Sequence, residues 1–469
     1  MTRRDDSATL PAMIVDRLLA EVEGSQEELV ALAQGLIRVK TVNTGTMPTG
    51  NETEACIMIM NMLKKEKIEA EIIESEPTRG SIIATLPAET AGRRARLLLL
   101  SHLDVVPVGD EKQWRHPPFG GSVHEGRIYG RGAWDCKGLT ASHLMTLIIL
   151  KRLNVKLDRP LVLAATADEE TASGGERGIG YLVRHERGRI ESEYVLNEGG
   201  GASVDTPDGL YYLVSIGEKG RSEVTIDFHG KSCHASQPWS GRNPLMDMAA
   251  TLVGIEAYTP EISMDQDMLA KLFKVFRLTG TPDGTTFLRV LEKDLKETRI
   301  YSDLRGNCSM TIAPTVAAAG YKANVIPEKG SLTCDIRTLF NQDEEYVRTQ
   351  LERIMGRLAH YTVTFQKNIP ASRSRADPYF LRIIADALSR ITFPKAKLME
   401  TLSIGYTDSS VIRQTGATAF GFEPAHPLSD PRMVNFHSTD ESIAIADLVF
   451  RTKAYLSICH DMLIEPSIS

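Results

Sequence analysis

Leu97-Leu98-Leu99-Leu100-Ser101-His102-Leu103-Asp104 is a run of four leucines that breaks into a polar turn. Consecutive apolar residues with no polar alternation mark a strand buried on both faces, as in a sheet covered by helices on both sides. Beyond the leucines, residues two apart on an extended segment point the same way, which places Asp104 to steer the imidazole of His102. An HxD triplet is frequent by chance, so the flanking sequence has to decide what this one does.

Upstream, 14–22, 26–37 and 52–66 carry helical periodicity, and 70–73 and 81–86 read as strands. Downstream come a helix over 139–153 and strands at 160–165 and 193–196. This alternation predicts an α/β catalytic domain, with its sheet between helices. Near residue 216 the texture changes. Strands at 222–228, 309–314, 331–338 and 361–366, with helices at 243–258 and 344–358, describe a smaller α+β unit inserted in the chain. Helices at 378–391 and 441–463 then return to the first pattern. The expected division is residues 1–216 and 371–469 for the catalytic domain and 217–370 for the insert. Within the insert, 265–306 is a long polar stretch, read as an extension of the smaller unit or as a segment with no assigned role.

A length of 469 residues agrees with two domains. Net charge is −7, and Lys and Arg form no long runs, which argues against nucleic acid as a partner. No stretch approaches the ~20 apolar residues of a membrane helix. Arg3, Arg4, Asp5 and Asp6 precede a short amphipathic segment without a signal peptide's apolar core, so a cytoplasmic location is expected. The six cysteines show no CxxC pairing and read as small apolar residues, although Cys136 lies among residues that carry chemistry.

Those residues begin at Tyr129-Gly130-Arg131-Gly132-Ala133-Trp134-Asp135-Cys136-Lys137-Gly138, where glycines surround one carboxylate at the start of a helix. A dinucleotide loop would need a third glycine where Asp135 stands, so that reading fails. After the 160–165 strand stand Asp168-Glu169-Glu170, followed by Gly174-Gly175. Three adjacent acids are either a solvated turn or a cation site in which one carboxylate ligates and another handles protons. Glu198 follows the 193–196 strand in Asn197-Glu198-Gly199-Gly200-Gly201, and His437 precedes the last helix in Asn435-Phe436-His437-Ser438-Thr439-Asp440-Glu441. Each alone suits an ordinary surface residue. Their joint order is strand then His102, loop then Asp135, strand then Glu169 and Glu170, strand then Glu198, and lastly His437, a layout that would converge where open α/β sheets gather their ligands.

In order and local motif the chain resembles the aminoacylase and carboxypeptidase G family of co-catalytic zinc hydrolases, which includes acetylornithine deacetylase and succinyl-diaminopimelate desuccinylase. The resemblance implies a zinc-peptidase-like catalytic domain with an inserted lid and dimerisation domain. It implies that Asp135 bridges two zinc ions, with His102 and Glu198 on one and Glu170 and His437 on the other; cobalt or manganese would suit the same ligands. Glu169 would be the general base for a metal-activated water, with Asp104 supporting His102. The expected activity is hydrolysis of an amide in an N-acyl amino acid or small peptide. Two other readings stand beside it: the same chemistry on a non-peptide amine or carbamoyl group, and an inactive metal-binding homologue that binds peptides.

Gly230-Lys231-Ser232-Cys233-His234-Ala235 resembles the lid motif whose histidine stabilises the oxyanion, in dimeric relatives across the subunit interface, so His234 implies a homodimer. By the same resemblance Asn324 and Arg337 hold a substrate carboxylate, a task that suits a guanidinium fork. Gly405-Tyr406-Thr407-Asp408 stands where the family has Gly-Gly-Thr-Asp. Gly405 and Thr407 are carried over as substrate-binding, and Tyr406 is a departure that narrows or walls the pocket.

Overall fold

The computed structural model describes residues 9–90, 94–171, 175–298 and 300–464. Arg3, Arg4, Asp5, Asp6 and Gly174, used in the sequence reading, lie outside the described residues.

The Leu97 run does sit in the middle of a sheet. Strand Ala95–His102 lies between Leu161–Thr166 and Ser192–Asn197, parallel to both, and Thr418–Gly421 continues the parallel set beyond Ser192–Asn197. Glu69–Glu74 and Gly80–Leu86 extend one edge as antiparallel strands; Gly209–Glu218 extends the other and itself pairs with Ser203–Thr206, Lys397–Ser403 and Ser372–Arg373. The result is a ten-stranded mixed sheet. On one face lie helices Gln26–Arg38, Lys137–Arg152, Pro378–Ile391 and Ile445–Leu463, whose apolar sides form one core with the sheet. Lys137–Arg152 is buried from Lys137 to Leu150, as expected of a helix covered by neighbours on several sides. A smaller cluster, including Leu98, Leu100, Ile179, Leu182 and Ile412, covers the opposite face.

Only Lys219 separates Gly209–Glu218 from Gly220–His229, the first strand of a second, four-stranded antiparallel sheet. Its strand order is Thr311–Ala319, Lys329–Thr338, Gly220–His229, Tyr361–Ile369. Alternation governs its pleat: Val224, Ile226 and Phe228 face inward against Leu332, Cys334 and Ile336 and the helices Pro244–Ala257 and Glu344–Met355. Both helices start at side-chain caps, Asn243 accepting Leu245 N–H and Asp343 accepting Tyr346 N–H. The chain is therefore an α/β molecule, with a mixed sheet between helices and a smaller α+β unit inserted.

The stretch 265–306 does not extend the second sheet. Met268, Leu269, Leu272 and Phe273, spaced for one helical face in Gln266–Val275, join Phe287, Leu291, Ile300 and Leu304 in a cluster with Tyr211, Leu213 and Met399 of the large sheet. Burial of that apolar face, hidden by the polar composition around it, puts the segment on the catalytic half. The other difference is at the last helix, which begins at Ile445; before it, Ser442–Ala444 forms a three-stranded sheet with Arg127–Tyr129 and Ser122–His124. Among the described residues, no helix is long and apolar enough to cross a membrane.

Candidate metal centre

The parallel strands end at one edge, and His102, the Asp168-Glu169-Glu170 turn and Glu198 all follow from those ends. The Asp135 loop reaches the same edge through glycine. At Gly132, φ is +84° and a Cβ would lie 2.7 Å from Val105 Cγ1, so only glycine fits there comfortably. His437 arrives with φ of 58°, a left-handed conformation that aims its ring back at the sheet.

Asp135 stands between the two histidines. Its Oδ1 is 2.9 Å from His102 Nε2, and its Oδ2 is 3.1 Å from His437 Nε2. Glu198 Oε2 lies 3.4 Å from His102 Nε2, and Glu170 Oε2 lies 3.2 Å from His437 Nε2. The five side chains thus form two groups that share Asp135, with ligand atoms of each group within 4.8 Å of one another. Glu169 is buried beside them, its Oε2 4.0 Å from His102 Nε2.

Such a concentration of carboxylates is unfavourable by itself. Burial, then the charge of Asp135, pushes Glu170 up to about 7. Burial likewise pushes Glu198 up to about 8, and burial together with the Glu198 charge holds Glu169 well above the usual carboxylate range. Asp135 goes the other way: hydrogen bonds from His102 and His437 outweigh burial and hold it low. Against the effect of burial, the bonds of His437 to Asp135 and Glu170 draw it up to about 10. Glu170 Oε1 and Glu198 Oε1 are buried without a hydrogen-bond partner among the described residues. Carboxylates with one oxygen facing an imidazole and the other left unsatisfied are what a divalent cation completes, so this donor set fits a pair of metal ions.

Cys136 adjoins the His102 group, but its thiol is engaged with the main chain of His102, accepting His102 N–H at 3.1 Å, and burial keeps it protonated. Asp104 differs from the sequence expectation in how it acts. The His102 Nδ1 partner is the Asp104 main-chain oxygen at 3.0 Å, while the carboxylate is 3.6 Å away. That carboxylate instead accepts the N–H groups of Glu169 and Glu170, each at 3.1 Å, and the Asn43 amide at 2.8 Å. It holds the acidic turn as well as the imidazole.

The remaining candidates are not gathered at the ligand cluster. His234 is exposed in the two-residue strand Cys233–His234, its Nδ1 on Ser236 Oγ at 2.7 Å. Asn324 is exposed, its carbonyl accepting Ala235 N–H. Arg337 pairs with Asp335 at 2.6 Å, leaving its Nη1 buried without a hydrogen-bond partner among the described residues. The Gly405 amide points to Ser403 Oγ, and the Thr407 hydroxyl donates to Glu218 at 2.8 Å. Tyr406 is buried with its hydroxyl unpartnered, in the field of Asp408 and Glu169.

Sequence reasoning missed Glu441, which is fully buried. Its Oε1 accepts the N–H groups of Trp134 and Asp135, and its Oε2 pairs with Arg131 at 2.6 Å. It also missed Asp168, which takes Arg79 at 3.1 Å and Asn43 at 3.0 Å in a left-handed turn, φ 62°. In sequence Glu441 stands four residues after His437, at the start expected for the last helix, and no local pattern marks its burial.

With this geometry in hand, a family model described as peptidase family M20/M25/M40 matches residues 98–461. The chain belongs to peptidase family M20/M25/M40. This family of metal-dependent hydrolases is the one the motifs resemble. A probable succinyl-diaminopimelate desuccinylase of Staphylococcus epidermidis is 24% identical over 450 residues, covering 92% of this chain and 98% of the relative. Human carnosine dipeptidase 1 superposes with a TM-score of 0.71 at 15% identity, over 96% of this chain and 98% of the other. A Bacillus subtilis protein described as a dinuclear metal binding peptidase of the family gives 0.57 at 14% identity, over 94% and 99%. These likenesses show the fold, including the smaller inserted unit.

Proposed function

We propose that the chain hydrolyses the amide bond of an N-acyl amino acid or small peptide at a pair of divalent cations, zinc in the first instance, with cobalt or manganese able to take the same ligands. The observation that carries this reading is the Asp135 carboxylate, one oxygen on each histidine group. His102, Asp135 and Glu198 would hold one ion, and Asp135, Glu170 and His437 the other. When bound, such ions polarise a carbonyl and acidify water. Three carboxylates against two divalent ions leave one positive charge, which favours an anionic substrate.

Glu169, buried and not needed as a ligand, receives the proton from the attacking water and delivers it to the departing amine. The Nη1 of Arg337, with Asn324, offers donors to a substrate carboxylate, and Gly405 and Thr407 are assigned to substrate binding by the family resemblance. His234 stands for oxyanion stabilisation across a homodimer. The second sheet supports that dimer. Its edge strand Thr311–Ala319 is open, with Val316 exposed, and helix Pro244–Ala257 beside it exposes Met246 and Val253. An unpaired edge next to apolar side chains is an association surface. The desuccinylase and dipeptidase names of the relatives support an amide substrate. All six cysteines are free, which supports placing the chain in the cytoplasm.

The test is turnover of N-acetyl, N-succinyl and long-chain acyl amino acids and of dipeptides, with and without chelator. Hydrolysis of at least one, abolished by chelation and by Glu169→Ala, is expected. Activity that survives both treatments would rule the mechanism out.

A further inference from the structure

The turn that carries Glu169 and Glu170 is held from two sides, and one of them is the second sheet. From the catalytic half, Asp104 accepts both main-chain N–H groups at 3.1 Å. From the other half, Lys367 Nζ, on strand Tyr361–Ile369, donates to the carbonyl oxygen of Thr171 at 2.7 Å. Arg221 Nη1, on the neighbouring strand, lies 3.5 Å from the same oxygen. Thr171 is the residue directly after Glu170. A hydrogen bond from an ammonium to a main-chain carbonyl is charge-assisted and stronger than a neutral one.

The choice of partner is informative. Glu223, the cross-strand neighbour of Lys367, lies 3.7 Å from Arg221 Nη2, and the Lys367 amine reaches across to the turn. Arg221 links onward: it pairs with Asp335 at 3.0 Å, and Asp335 also takes Arg337 at 2.6 Å. The guanidinium proposed to meet substrate is therefore connected through Asp335 and Arg221 to the carbonyl that ends the acidic turn.

We propose that Lys367 is a positioning residue for Glu169: by holding the Thr171 carbonyl, it ties the place of the base to the seating of the second sheet on the catalytic half. This rests on the hydrolase reading above. With the Lys367 contact removed, the turn keeps its anchors at Asp104 and Asp168 but loses the ammonium at its far end; Glu170 stays tied to His437 at 3.2 Å, whereas Glu169, 4.0 Å from His102, shifts. A displacement of ~1 Å at a reacting group costs on the order of 100-fold in rate.

Lys367→Met and Lys367→Arg are compared with the parent chain for kcat, KM, bound metal, melting temperature and amide exchange at 168–171. Lys367→Met is expected to lower kcat by about tenfold or more with KM within about twofold and metal content unchanged. Exchange of the Glu169 and Glu170 amides should quicken locally, and Lys367→Arg should restore most of both effects. An unchanged kcat, an arginine variant as impaired as the methionine variant, or a lower melting temperature with faster exchange throughout would overturn the proposal. If the parent chain hydrolyses no amide, the functional reading falls, and the exchange comparison still decides whether Lys367 holds the turn.

Discussion

Glu441 accepts the main-chain N–H of Asp135 at 3.1 Å, so a residue four positions beyond His437 fixes the loop that carries the shared carboxylate. The two segments are far apart in sequence and support each other at the site. Arg131 balances the Glu441 charge in the interior. Glu441→Ala leaves that guanidinium buried and unpaired, which costs about 3 to 5 kcal/mol. We expect a lower urea midpoint and metal affinity reduced roughly 10- to 100-fold, the usual effect of losing a group that orients ligands. Isothermal titration with zinc and a urea melt check both; unchanged affinity would remove Glu441 from the site.

Glu169→Gln keeps the volume of the base and removes its proton chemistry. We expect kcat to fall about 10²- to 10⁴-fold, with two metal ions still bound per chain, because no ligand is lost. Loss of metal in this variant would show that Glu169 is a ligand instead.

The dependence of metal binding on pH has a definite sign. Without cations, burial places Glu170 at about 7 and Glu198 at about 8, while its carboxylate neighbours hold His437 up at about 10. Ligation requires ionised carboxylates and a neutral imidazole, so protons compete with the metal. Affinity should therefore rise as pH rises from about 6 through 8 and weaken as pH falls, with protons released on binding. Zinc titrations in buffers of different ionisation enthalpy measure this release. An affinity independent of pH across that window would contradict the assignment.

If His234 acts across a homodimer, two inactive variants should complement each other. Mixed subunits of Glu169→Ala and His234→Ala contain one site with an intact base and a partner histidine, so refolding them together should recover activity that neither has alone. No recovery in a confirmed mixed dimer would place His234 outside the partner's site.

The parallel core was legible because Leu97 to Leu100 leave no polar face; the His102, Glu169–Glu170 and Glu198 segments were legible because each comes at the end of such a strand, and Asp135 and His437 through their local motifs. What escaped was set by tertiary context. Strands Lys397–Ser403 and Thr418–Gly421 are short and mixed in composition, and pairing with Gly209–Glu218 and Ser192–Asn197 decides them. The 265–306 helices hid their apolar stripe in a polar average. At the site, sequence spacing suggested that the Asp104 carboxylate meets His102, whereas the main-chain oxygen makes the closer contact, a distinction that needs coordinates. Glu441 and Lys367 act on main-chain atoms of other segments, and no motif announces such contacts.

The mechanism stands on a pair of cations sharing Asp135, and a crystal structure of the metal-loaded protein with anomalous scattering at the zinc edge would locate them. Two peaks about 3.5 to 4 Å apart are expected, with Asp135 between them, His102 and Glu198 on one and Glu170 and His437 on the other. A single ion, or ions held without Asp135 between them, would contradict it.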